Sequence, residues 1–312
     1  MKLLIILIII FPIISSFAIN SNKEFKLDYN YIEKNLVLIK GGSCESPYKN
    51  VSTEIDYSVY TNTIETKDFF IFNQEVTNEL YREFVKLSRN DGVIDGTSLL
   101  PDTLVWKSYM AYSEPYEKYY YRHPAYNKFP IVGLTIEQCH FFCQWLTKWY
   151  NGCNNRKYKK VKFLVPTIEQ WIFAACEGNS RQIYPWHNNY VIQNDGKPMA
   201  NFLFIDQSAV RRVIDKDDKE LNHSKFIVDK NAIYFDGMGY DLTAPSISYK
   251  PGLNGLYNMA GNVSEYVSNS NVVKGGSWYF PGFYLNNFIA QPITSKTSVD
   301  RGFRFVMEVI EE

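Results

Sequence analysis

The tetrapeptide Thr-Ile-Glu-Gln occurs twice, at 135–138 and at 167–170, each time ahead of an apolar run. A threonine N-cap followed three residues later by glutamine is a capping box, which satisfies two backbone donors at a helix start and fixes where the helix begins. The first box opens a helix over 135–151 with Ile136, Cys139, Cys143, Leu146 and Tyr150 at core spacing; the second opens one that stops at Gly178. Between them "VKFLVP" is a short strand closed by Pro166.

Other segments arrange themselves around this unit. "LVLIKGG", from Leu36 to Gly42, is a strand ending in a glycine turn, and "EVTNELYREFVKLSRN", from Glu75 to Asn90, is a helix with Leu80, Phe84 and Leu87 on one face. Residues 91–130 are rich in Tyr and Pro and lack a period, as in a long packed loop. Toward the end, "GLYNMAGNVSEYV", "VVKGGSW" and "RGFRFVMEV" alternate glycine turns with strand-like runs. Together these predict an α+β fold with much irregular structure. The echo between "VLIKGGS" and "NVVKGGS" fits two terminal strands lying together.

With 312 residues, 46% of them hydrophobic, the chain can bury roughly three quarters of its extended surface. No linker-like tract interrupts it, so residues 19–312 are expected to form one domain, with its core at about 36–306. The start, "MKLLIILIIIFPIISSFAIN", has the form of a secretory signal peptide cleaved after Ala18 (residues 1–18), which predicts an exported protein of the periplasm or cell envelope with no transmembrane segment after cleavage. Basic and acidic residues balance at 33 each, so no electrostatic attraction to nucleic acid is expected. Of the five cysteines, Cys139 and Cys143 lie on one helix in poor geometry for a bridge, whereas Cys153 and Cys176 can pair with each other, with one of those two, or with Cys44.

Candidate chemistry is sparse. The "CHFFC" run puts Cys139, His140 and Cys143 together, but an aromatic-rich core helix accounts for it as well as a soft metal does. In "GLYNMAGNVSEY", Asn258, Asn262 and Glu265 offer hard oxygen donors suited to Ca²⁺, against the alternative of an Asx-rich turn bonded to its own backbone. The segment "KGGSWYFPGFYLN" looks like a site, yet Ser277 has no obvious base beside it and the segment contains no cysteine, histidine or carboxylate.

Taken in order, "LVLIKGG", "EVTNELYREF", "FPIVGLTIEQCHFFCQWL", "FLVPTIEQWIFAAC", "YPWHNN", "GLYNMAGNVSEY", "KGGSW" and "GFRFV" resemble the formylglycine-generating enzyme (sulfatase-modifying factor) family. The resemblance implies a C-type-lectin-like fold with paired terminal strands. It also implies an oxidase site with copper held by two cysteines after the "GGS" turn. Those positions fall at Phe280 and Leu285, so no copper is expected, and Ser277, Trp278, Phe280 and Leu285 are read as a vestigial cleft. The family's calcium ligands correspond to Asn258, Gly261, Val263 and Glu265; a second set maps, across an insertion, to Asn201, Phe202, Asp236 and Met238.

"LLPDTLVW" and "RHPAYNKFPIVGL" are similar to the gliding-motility and type IX secretion lipoproteins J and K, which are structural members of the family. Their lipid-modified cysteine has no counterpart here, since the first cysteine is Cys44, and a lipid anchor is therefore not implied. The expected function is that of a non-catalytic envelope component bound to proteins of a secretion or motility complex. The alternatives are a modifying enzyme using other residues, with Cys44 a candidate, and a lectin-like binder of glycan or peptide using Trp278, Tyr279 and Phe283.

Overall fold

The computed structural model describes residues 25–48, 58–60, 62–90, 99–205, 210–214, 224–228, 240, 242–252 and 254–312. The expected signal peptide, residues 91–98 of the long loop, Asp236 and Met238 lie outside them. In chain order the elements are α1 (Tyr29–Lys34), β1 (Leu36–Ile39), β2 (Gly42–Glu45), β3 (Ser58–Val59), β4 (Thr63–Thr66), β5 (Phe69–Phe72), α2 (Asn78–Asn90), α3 (Val105–Tyr109), α4 (Glu114–Tyr119), α5 (Ile136–Gly152), β6 (Lys160–Leu164), α6 (Ile168–Cys176), β7 (Val210–Ile214), β8 (Ser224–Val228), β9 (Ser264–Tyr266), β10 (Val272–Lys274), β11 (Ile289–Pro292), β12 (Arg301–Gly302) and β13 (Val306–Glu311).

Both capping boxes form. Thr135 Oγ1 accepts from Gln138 N while Gln138 Oε1 accepts from Thr135 N, at 3.3 and 2.8 Å, and the Thr167–Gln170 pair repeats this at 3.1 and 3.0 Å. These anchors hold α5 and α6 on opposite sides of an antiparallel sheet of order β1-β5-β13-β6. Side-chain alternation along the strands explains the two layers. In β5, Phe70 and Phe72 face α2 and α5, while Phe69 and Ile71 face α6; in β13, Met307 and Val306 divide the same way.

On the α2/α5 side, Phe72 stacks on Phe305 at 4.5 Å between ring centres, and Phe142 meets Phe303 and Phe305 edge-on or tilted. Phe142 and Trp145 are buried along with Cys139, Cys143, Leu146 and Tyr150 of the predicted face, so α5 is apolar around more of its circumference than its spacing indicated. Cys139 and Cys143 lie in this main core.

Three expectations change. The helix predicted from Glu75 begins at Asn78, because Val76 N bonds to Phe303 O and Thr77 Oγ1 accepts from Leu80 N, leaving residues 75–77 extended. The described part of the long loop contains α3, α4 and a 3-10 turn at Pro124–Tyr126, packed through Trp106 and Tyr120. The terminal strands β1 and β13 share a sheet but are not neighbours, since β5 lies between them; the "VVKGGS" strand, β10, belongs to a second sheet of order β12-β9-β10-β11-β3. Among the described residues no helix is long and apolar enough to cross a membrane.

Candidate functional site

The second sheet carries the candidate site. Within it β9 and β10 run antiparallel with Glu265 opposite Lys274, and both residues are buried. Glu265 accepts from Arg304 Nε through both oxygens, at 2.9 and 2.7 Å, from Arg304 Nη2 at 2.5 Å and from Trp171 Nε1 at 2.7 Å. Three N–H groups thus make four contacts with this carboxylate. Lys274 lies 5.3 Å from the centre of the Trp171 ring, donates to Ile289 O at 2.6 Å, and is held down to a pKa of about 7 by burial.

Next to this pair, Glu75 accepts from Asn262 Nδ2 at 2.9 Å and from Asn258 Nδ2 at 3.2 Å. Burial is the main cause that raises its pKa to about 8; Arg304 pulls it down and Glu265 pushes it up. Asn262 is engaged on its other side too, accepting from Ala244 N at 2.7 Å. Gly261 has φ +78, and a Cβ there would meet Asn201 O at 2.5 Å, so the turn closes only with glycine.

Of the first expected calcium set, Asn258, Gly261 and Val263 lie on the buried turn before β9 and Glu265 on β9 itself, paired to Arg304. A cation ligated by Glu265 would share that carboxylate with a guanidinium. Of the second set, Asn201 is buried and donates to Leu242 O at 2.6 Å, and Phe202 packs on Gly282.

The "GGS" turn follows β10. Gly275 has φ +90, and a Cβ there would lie 2.9 Å from Met259 O. Ser277, for which the sequence offered no partner, donates to Asp300 Oδ2 at 3.2 Å and accepts from Tyr279 N. The other oxygen of Asp300 accepts from Ser298 Oγ, so this carboxylate orders the turn. Trp278 is buried edge-on to Tyr109, with ring centres 4.8 Å apart. Phe280 contacts the rings of Tyr279 and Tyr284, and Leu285 is wholly buried in a small cluster with Ala200, Ala260 and Phe202. Neither Phe280 nor Leu285 can ligate a soft metal.

Trp278, Tyr279 and Phe283 do not act as one surface: Trp278 is buried, whereas Tyr279 and Phe283 are 42% and 44% exposed. Cys44 belongs to the α6 core cluster, not to the cluster around Leu285. Sequence reasoning missed Glu75, Asp300, Lys274 and Arg304. The available signal was a charged residue inside an apolar run, as in "GFRFV" and "VVKGG", since such a residue is buried only with a partner.

An irregular mixed fold with a glycine-hinged turn, a buried polar network beneath it and apolar side chains at the expected copper positions defines a formylglycine-generating-enzyme-like scaffold. The chain matches the family described as sulfatase-modifying factor enzyme 1-like domain over residues 23–309, and it belongs to that family. It is 25% identical over 243 residues to the Inactive C-alpha-formylglycine-generating enzyme 2 of Bos taurus, covering 69% of this chain and 67% of that protein. Among solved structures, Treponema denticola variable protein 1 aligns with a TM-score of 0.52 at 16% identity, covering 87% of this chain and 94% of the other. PvdO from Pseudomonas aeruginosa aligns with a TM-score of 0.52 at 16% identity, covering 88% and 94%. These two share the fold.

Proposed function

We propose that this chain is a non-catalytic sulfatase-modifying-factor-like protein that works as a structural or binding component of the cell envelope, in an assembly of the gliding-motility or type IX secretion kind. The observation that carries the non-catalytic part is the pair Phe280 and Leu285, where copper chemistry needs two thiolates. Leu285 is packed on all sides, so the position has been absorbed into the core. The relative from Bos taurus, named as inactive, supports the same conclusion. Export to the periplasm or envelope is part of the proposal and is supported by the apolar leader.

Affinity recovery of the tagged full-length protein from gently solubilised native envelopes, with mass spectrometry, tests the assembly. Secretion or motility proteins recovered in comparable amounts are expected. Recovery of the protein alone overturns the assembly role.

One observation favours a second reading. Tyr279 and Phe283 present exposed rings beside the turn, a stacking floor for a glycan or an aromatic-rich peptide. Flat glycan and peptide arrays would remove it.

Structural calcium at Asn258, Gly261, Val263 and Glu265, and less strongly at Asn201, Phe202, Asp236 and Met238, is a further proposal. Hard oxygen donors on a turn support it. Its role would be to fasten irregular backbone, and at the first set it competes with Arg304 for Glu265.

A further inference from the structure

Two thiols meet away from the vestigial cleft. Cys44 lies on β2 opposite Ile64 of β4, and Cys176 is the last residue of α6, which packs against β4. The absent Cβ of Gly42 would be 3.3 Å from the Phe173 ring, which shows how closely β2 approaches α6. Both thiols belong to the cluster built on Trp171, Phe173 and Phe288, and each acts on the other's ionisation. The other cysteines are placed elsewhere: Cys139 and Cys143 in the main core, and Cys153 bonded through its Sγ to Trp149 O. Sequence spacing left the pairing open; the packing brings one pair together.

We propose that Cys44 and Cys176 form a redox-active pair that closes to a disulfide, tying the β2–β4 hairpin to the end of α6. Cys44, at 8% exposed, is the sulfur nearer the surface, and Cys176 is fully buried. In the reaction, the Cys44 thiolate attacks a small-molecule or dithiol-derived disulfide, which releases one thiol and leaves a mixed disulfide on Cys44. The Cys176 thiolate then attacks Cys44 Sγ, the intramolecular S–S bond forms and the second thiol leaves. Two electrons and two protons pass to the oxidising disulfide. Burial, with a smaller push from Cys44, raises the Cys176 thiol to about 12, so reduced protein is expected to be inert toward alkylating reagents until the core opens.

The test uses purified full-length protein equilibrated in buffers of graded reduced-to-oxidised glutathione ratio, acid-quenched, denatured, alkylated and digested without reductant. Mass spectrometry is expected to find a Cys44–Cys176 linked peptide that grows with the oxidised fraction, while alkylatable thiols fall from the five of the sequence to three. Oxidation is also expected to raise Tm in the wild type and not in Cys44→Ser. Alkylation of both Cys44 and Cys176 at every ratio, or a link through any other cysteine, overturns the proposal. The buffer sets the redox state, so the outcome does not depend on export or on an envelope partner.

Discussion

Arg304 and Glu265 form an ion pair with side chains 0% and 1% exposed, and the same guanidinium donates to Phe72 O and Tyr257 O at 3.3 and 2.9 Å. One side chain thereby ties the end of β5, the turn before β9 and β9 itself. Removing the cation leaves a buried carboxylate without its partner, which typically costs about 3–5 kcal/mol. Arg304→Met is expected to lose that much in urea denaturation. The double variant Arg304→Met/Glu265→Leu is expected to lose clearly less than the two single changes added together, and strict additivity would show that the pair is not coupled.

The two capping boxes make a smaller, cleaner prediction. Thr135→Ala and Thr167→Ala each remove an acceptor from a helix N-terminus, and each is expected to cost about 1 kcal/mol. Their distance apart in the fold makes near-additivity the expected result in the double variant. Chemical denaturation with unchanged m-values checks this.

Lys274 gives the stability curve a pH dependence. Its folded pKa is about 7 against an ordinary 10.5. The unfolded chain therefore binds the extra proton between these values, and stability rises with pH through that window by up to about 1.4 kcal/mol per unit. Below pH 7 the folded chain carries the buried ammonium and its full penalty. Lys274→Met is expected to compare best with the wild type below pH 7, the difference shifting toward the wild type as pH climbs toward 10. Parallel curves for the two proteins from pH 6 to 10 would contradict this.

Calcium has a direct readout in thermal unfolding. If the ion binds the folded chain at the turn of Asn258 and Glu265, Tm rises with calcium concentration, by about 2.7 kcal/mol of stabilisation at a hundred times Kd. The expected response is selective for calcium over magnesium and absent in Glu265→Gln. No shift at millimolar calcium assigns the fastening of the turn to Arg304 alone.

What was legible in the sequence was local. β1, α5, β6 and α6 could be read because period and capping act within a few residues, and Thr135 and Thr167 behave as their motifs require. The helices α3 and α4 were hidden because five- and six-residue segments carry too little period to register. At the site, the sequence pointed to its turn glycines, and the structure gives Gly261 and Gly275 positive φ. The site was illegible where it depends on contacts such as Glu75 with Asn258 and Asn262, 183 and 187 residues apart in the chain. Glu265 illustrates the difference: its oxygen chemistry was evident, whereas its partner, Arg304, comes from the last stretch of the chain.

The decisive measurement is incubation of the purified protein, supplied with copper(I) and oxygen, with cysteine-containing sulfatase-type peptides, followed by mass spectrometry for the aldehyde product. With Phe280 and Leu285 in place of two thiolates, every substrate cysteine is expected to survive unconverted. Copper-dependent formation of the aldehyde would contradict the non-catalytic assignment.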